Sequence, residues 1–437
     1  MAIDTPGQRD ALETPSFREA LFTWGRIGFL SFGGPTGQIA LLHRVVVEEK
    51  KWLNEQQFLN ALSFCMLLPG PEAMQIATYA GWRLHGIAGG LAAGLTFVLP
   101  GAAIVLALAM ICATFGDVPV IKAIFRGIQA AVIVIVIEAL LRISNRALAR
   151  PKHWGIASAS FIMIFFLALP FPVIILLAAL YGYITSSKDT VYDDTVATHT
   201  RPADTLRTIL TWLAIWIVPL VVLALFLGST SIFTQLAWFF SKLALVTFGG
   251  AYAVLAYMTQ DVVTAYGWLD AGQMMEGLGL AETTPGPLIL VTEFVGYLAA
   301  YQSNPKTPLL AGLAGAAITL WATFAPCFLW VFAGAPYIEW INARPRLKGA
   351  MTAITAAVVG VILNLAIWFG LHVFFRSVEQ VEVWPLQLWV PDPATLDWRV
   401  VFLAAISGFL LLRLHWGIPK VLVVASALAL GLHFAFS

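Results

Sequence analysis

The residues best placed for chemistry in this chain cluster at four glycine and proline breaks. These are Ser31-Phe32-Gly33-Gly34-Pro35, Leu68-Pro69-Gly70-Pro71, Thr247-Phe248-Gly249-Gly250 and Thr284-Pro285-Gly286-Pro287. A helix that starts after such a break presents unpaired backbone N–H groups and the positive end of its dipole, a combination that binds anions. Proline costs nothing at a first helical position, where its missing N–H has no intrahelical partner. Pro35, Pro71 and Pro287 therefore read as helix starts, and Gly250 heads the fourth. Glycine lets a ligand approach the main chain, so backbone donors are expected at Gly33, Gly34, Gly70, Gly249, Gly250 and Gly286. Ser31, Thr247, Thr283 and Thr284 would add hydroxyls. Gly and Pro also kink packed membrane helices, but four breaks in duplicated register favour a binding site.

Charged residues in the same apolar regions are expensive and functional by default. Arg26 and Lys242, 216 positions apart, each sit on the stretch leading into a Phe-Gly-Gly break. Either they raise anion affinity or they snorkel to the interface. Glu72 follows Pro71 directly, Glu282 precedes Pro285, and Glu293 lies in the following half-helix. A carboxylate at a helix start competes with an anionic substrate, and a buried one can exchange a proton near physiological pH. Glu72 and Glu282 thus serve either proton coupling or ordinary helix capping. Glu138, with Arg142 four residues on, reads as an internal helix pair.

The elements that would position these residues are membrane helices. Of the 437 residues, 59% are apolar and 11% charged, and the mean hydropathy is +0.84. Soluble domains carry about 25% charged residues, so a cytosolic globular enzyme is excluded. Uncharged or nearly uncharged runs at 87–115, 127–141, 156–184, 209–228, 308–338, 349–371, 400–412 and 416–436 read as helices, most of them long enough to span. Residues 17–85 and 233–301 carry only half-membrane apolar stretches, each cut at its middle.

Those cuts expose an internal repeat. Phe32 and Phe248, Trp52 and Trp268, Gln57 and Gln273, and Pro69 and Pro285 are each 216 positions apart. Lys and Arg accumulate in cytoplasmic loops. The loop with Arg142, Arg146, Arg150 and Lys152 is basic, whereas its counterpart at 376–399 is acidic, and the swap recurs in the loops at 43–51 and 116–121. The fold expected is an all-α integral membrane protein of two homologous inverted-topology repeats, with roughly 10 to 13 membrane segments. Placing both basic loops on one side requires 55–85 to enter and leave the membrane on that side. The divisions are a polar segment at 1–16, repeats at 17–185 and 233–437, and a polar loop plus linking helix at 186–232.

Other chemistries lack support. Residues 1–20 do not have the pattern of a cleaved signal peptide, so the first membrane segment is expected to direct insertion. The three cysteines stand singly in apolar runs, and the seven histidines form no ligand-spaced cluster. No Walker A loop, GxSxG or HExxH motif occurs. No cofactor, metal or catalytic residue is expected, and the net charge of +1 recruits no nucleic acid. The partners expected are a small inorganic oxyanion and the lipid bilayer; the sequence leaves a homo-oligomer open.

Phe32-Gly33-Gly34-Pro35, Trp52-Leu53 and Leu68-Pro69-Gly70-Pro71, followed by Phe248-Gly249-Gly250, Trp268-Leu269 and Thr284-Pro285-Gly286-Pro287, resemble the chromate ion transporter family in its long two-domain form. The resemblance covers nearly the whole chain. It implies a multi-pass protein of the bacterial inner membrane that exports chromate, with sulfate as structural analogue, driven by the proton motive force. It also implies about thirteen spans in oppositely oriented halves. One departure is Ala251, where the first half has Pro35. Sulfate or other oxyanion uptake, and an anion channel using the same half-helices, are the alternatives; an enzyme acting on chromate is disfavoured by the missing metal, flavin or paired-thiol motif. Replacing Gly70 with a bulky residue is expected to abolish transport while leaving membrane insertion intact. Wild-type flux in that variant, measured in vesicles, would remove the break from the site.

Overall fold

The computed structural model describes residues 15–32, 34–116, 118–186, 202–248, 251–342, 344–383 and 386–435. The first half comprises α1 (Phe17–Leu30), α2 (Gly34–His43), α3 (Glu55–Cys65), α4 (Glu72–Phe115), α5 (Pro119–Ala147), α6 (Pro151–Phe165) and α7 (Phe171–Thr185). A linking helix, α8 (Pro202–Leu227), leads to α9 (Ile232–Val246), α10 (Ala251–Gln260), α11 (Ala271–Thr283), α12 (Val291–Ser303), α13 (Pro308–Gly334), α14 (Ile338–Asn342) and α15 (Pro345–Phe374). An antiparallel hairpin, β1 (Val378–Val383) with β2 (Leu386–Pro391), precedes α16 (Trp398–Gly408) and α17 (Ile418–Ala435). Among the described residues, six helices (α4, α5, α8, α13, α15 and α17) are long and apolar enough to cross a membrane. The chain is a multi-pass membrane protein whose remaining apolar segments are shorter arms.

Local sequence sets the same backbone detail twice. Asn54 and Gln57 form a capping box at the start of α3, and Asp270 and Gln273 form the equivalent box on α11. Ahead of each box the helix widens into a π-helical turn, Arg44–Glu49 and Asp261–Ala265. The Trp52 N–H donates to the Val46 carbonyl at 2.8 Å and the Trp268 N–H to the Val262 carbonyl at 2.9 Å. Both indoles are buried, Trp52 at 5.4 Å from Trp24 and Trp268 at 5.5 Å from Phe239. The segment after α2 thereby returns to α1, where Trp52 packs on Trp24 and Lys50 Nζ donates to Glu19 Oε1 at 2.8 Å.

The α4 segment is two antiparallel arms, reversing at His85 and at Gly86 with φ 61° and ψ −151°. Glycine is required there for that left-handed backbone and again where the arms touch: a Cβ on Gly89 would lie 2.2 Å from the Gly81 carbonyl oxygen. In the second half α12 and α13 make the same kind of hairpin, with Gly315 against Gly296. His85 Nε2 lies 2.8 Å from the Pro15 carbonyl oxygen, and His43 Nε2 lies 2.8 Å from Glu55 Oε2. Residues 55–85 thus begin beside the end of α2 and end beside the start of α1.

Later helices are exchanged between halves. The α6–α7 pair packs along α15, and α16 and α17 pack along α5. The acidic 376–399 stretch, read from its charge as a loop, contains the β-hairpin instead. Val381-Glu382-Val383 alternates apolar and polar residues, which suits a strand, and Trp389 of β2 lies 5.3 Å from the His372 ring at the end of α15. Gly315→Leu is expected to destabilise the folded protein by about 1–3 kcal/mol through overpacking, read as a lowered melting temperature in detergent. Gly155→Leu, with no neighbouring atom within 4 Å of its Cβ position, is the control expected to melt like wild type.

Candidate functional site

The four breaks meet in two reciprocal pairs. Ser31 (φ −78°, ψ 62°) and Thr247 (φ −76°, ψ 70°) each centre an inverse γ-turn, closed by Phe32 N–H to the Leu30 carbonyl and Phe248 N–H to the Val246 carbonyl, both at 2.9 Å. These turns aim two carbonyls across the molecule. The Gly286 N–H donates to the Ser31 oxygen and the Gly70 N–H to the Thr247 oxygen, each at 2.9 Å. Gly70 (φ 122°) and Gly286 (φ 89°) hold backbone conformations that other residues rarely adopt. Two buried glutamines brace the pairs: Gln38 Nε2 donates to the Gly286 carbonyl at 2.6 Å and the Ser31 carbonyl at 3.3 Å, and Gln75 Nε2 donates to the Pro69 carbonyl at 2.7 Å.

This geometry changes the parts assigned to several residues. The N–H groups of Gly70 and Gly286, expected to face an anion, bond the opposite half instead. The hydroxyls also donate inward: Ser31 to Ile27, Thr247 to Leu243, Thr283 to Leu280 and Thr284 to Ala281. Sequence shows a hydroxyl beside a break but not that the carbonyl three or four residues back captures it. Pro71 and Pro287 occupy cap positions, one residue before the helical turns they introduce, and Pro285 has its carbonyl packed against Gly101. Gly34 opens α2 and Phe32 is exposed, whereas Phe248 is half-buried. Gly33, Gly249 and Gly250 lie outside the described residues. Arg26 and Lys242 are not drawn to this centre. Both are exposed, Arg26 with Glu49 3.8 Å away, because the buried stripes of α1 and α9 run along their other faces.

Beside the breaks opens a cavity of about 750 Å³. Arg142 and Arg146 of α5 line it, with Arg150 and Lys152 from the turn into α6; Pro35 and Glu72 bring in the first-half breaks. Its wall on the other side is made by α7 and α15, which cross closely at Gly182 and Gly349. Arg142 also bonds Glu138 at 2.5 Å, as the spacing suggested. Tyr252 of α10 reaches the cavity too, and its hydroxyl donates to Glu282 Oε1 at 2.5 Å. Glu282 is buried, its Oε2 without a hydrogen-bond partner, and Glu293 is buried elsewhere on α12. Clustered cations between low-dielectric walls concentrate anions.

The profile of the family described as Chromate transporter matches residues 18–183 and 234–432. The chain belongs to the chromate transporter family. Its function is transport and not enzymatic catalysis. A chromate transport protein of Pseudomonas aeruginosa is 31% identical over 371 residues, covering 82% of each chain. One from Cupriavidus metallidurans is 29% identical over 374 residues, 81% of this chain and 82% of the relative. A probable chromate transport protein of Synechococcus elongatus is 26% identical over 390 residues, 88% and 92%. No solved structure matches the chain.

Within this family member, sequence reasoning missed Gln38, Gln75 and Tyr252, and saw the 142–152 cations only as a sign of topology. A lone glutamine or tyrosine in an apolar run carries no spacing signal, although the cost of burying its polar group is a clue. Gln38→Leu removes the donor shared by the Ser31 and Gly286 carbonyls and is expected to destabilise the protein by about 1–3 kcal/mol, measured by thermal unfolding in detergent.

Proposed function

We propose that this protein exports chromate from the bacterial cytoplasm across the inner membrane, driven by the proton motive force, with sulfate competing as the analogous tetrahedral dianion. The observation that carries this reading is the cavity in which Arg142, Arg146, Arg150 and Lys152 gather beside the first-half helix breaks at Pro35 and Glu72. Basic loops favour the cytoplasmic side. On that assignment the cavity opens to the cytoplasm, where an exporter loads. The two repeats then lie inverted about the reciprocal break pairs, as in carriers that expose one site alternately to each side.

Proton linkage follows from like charge. Glu72 lines the cavity, so its carboxylate would repel a dianion that the neutral acid would not. Glu282 is joined to the same cavity through Tyr252. Transport names among the relatives support chromate as substrate.

Everted membrane vesicles energised with NADH test the reading. Accumulation of labelled chromate that collapses with a protonophore and falls with excess sulfate is expected. Energised vesicles that accumulate none, while right-side-out vesicles take up sulfate, would overturn export. The triple variant Arg146→Ala, Arg150→Ala, Lys152→Ala is expected to lower the initial chromate rate about ten-fold at low ionic strength, and to flatten its salt dependence.

A further inference from the structure

A second polar cluster lies where α11 packs on the first half of α5, outside the lining of the cavity. Glu276 of α11 is partly buried there between two neutral donors: Gln129 Nε2 of α5 donates to its Oε1 at 3.2 Å, and the Cys112 thiol near the end of α4 donates to its Oε2 at 3.4 Å. Charged neighbours on the elements packed around it are Asp270, which caps α11, and Lys122 in the first turn of α5. Gln129 precedes Arg142 by 13 residues on one continuous helix, about 20 Å at 1.5 Å per residue. One helix, α11, thus carries Glu276 in this cluster and, six residues on, Glu282 bonded to Tyr252 at the cavity wall.

A carboxyl in partial burial, held among the described residues by an amide and a thiol, can be accommodated in either protonation state, since both donors also suit a neutral acid. We propose that Glu276 is the proton-accepting group of the outer face. A proton from the outer aqueous phase forms an O–H bond at the Glu276 carboxylate, leaving a water molecule behind, and the neutral acid is what that face encloses when it closes. Cavity carboxyls cannot do this while the cavity faces the other side. Between the two carboxyls the helix contact is tight: a Cβ on Gly279 would lie 2.2 Å from Ile128 Cγ2, so α11 packs directly on α5 there. The inference rests on the proton-driven export proposed above.

Two transport modes in proteoliposomes separate the proposal from that reading. Accumulation against a gradient requires proton movement, whereas exchange of labelled for unlabelled chromate does not. For Glu276→Gln, pH-gradient-driven accumulation is expected to fall at least about ten-fold with exchange retained; Glu276→Asp is expected to recover part of the accumulation. Retained exchange also shows that the variant has folded. Wild-type accumulation driven by the pH gradient together with equal accumulation by Glu276→Gln would overturn this proposal alone. Wild-type transport indifferent to the gradient would overturn proton coupling itself. Loss of both modes in Glu276→Gln, with Glu276→Asp no better, would assign Glu276 a structural part and likewise overturn the proposal.

Discussion

Everything near the centre of this protein depends on a reciprocal backbone clasp. Helices broken in the middle of a membrane leave N–H and C=O groups with no water to satisfy them, each at a cost of several kcal/mol. Here each half resolves the other's problem. The inverse γ-turn at Ser31 offers a carbonyl to Gly286, and the one at Thr247 offers a carbonyl to Gly70. The positive φ of both glycines turns their N–H groups toward those acceptors. Separating the halves would strand the Gly70 and Gly286 N–H groups and the Thr247 carbonyl and leave the Ser31 carbonyl only its long bond from Gln38, so the breaks act as the bond between the halves as well as their most conspicuous motif.

That constraint displaces the chemistry. Backbone donors already joined across the clasp are not open to a ligand in this conformation, and the hydroxyls beside them point back into their own helices. Positive charge is supplied instead from the end of α5 and the turn into α6, and the exchanged packing of α6 and α7 on α15 builds the opposing wall. The cations therefore border the clasp without belonging to it. An arrangement of this kind can attract a dianion without requiring the central hydrogen bonds to break first.

The carboxyls follow the same logic of separation. Glu72 lies on the cavity, Glu282 is tied to it by Tyr252, and Glu276 lies near the middle of the helix that carries Glu282, six residues before it. None occupies an equivalent position in the other repeat. The backbone detail is duplicated and the acids are not: the capping boxes, π-helical turns and γ-turns recur in both halves, whereas each of these carboxyls occurs once.

Sequence alone determined the class and the frame. A chain with so few charges must fold in lipid; the 216-residue recurrence of Phe32, Trp52, Gln57 and Pro69 marks two related units, and the half-length apolar stretches show where helices break. Those properties are local or additive, so composition and spacing record them. The Glu138–Arg142 pair was legible for the same reason, since four residues make one helical turn. Only the tertiary structure decided which donors remained open, because the partner of Gly70 is Thr247 and that of Gly286 is Ser31, on opposite halves of the chain. It also turned Arg26 and Lys242 outward and drew Arg146, Arg150 and Lys152 around one cavity with Tyr252. Hydrogen-bond capture and cavity formation depend on distances between segments far apart in sequence, and no periodicity along the chain encodes those distances.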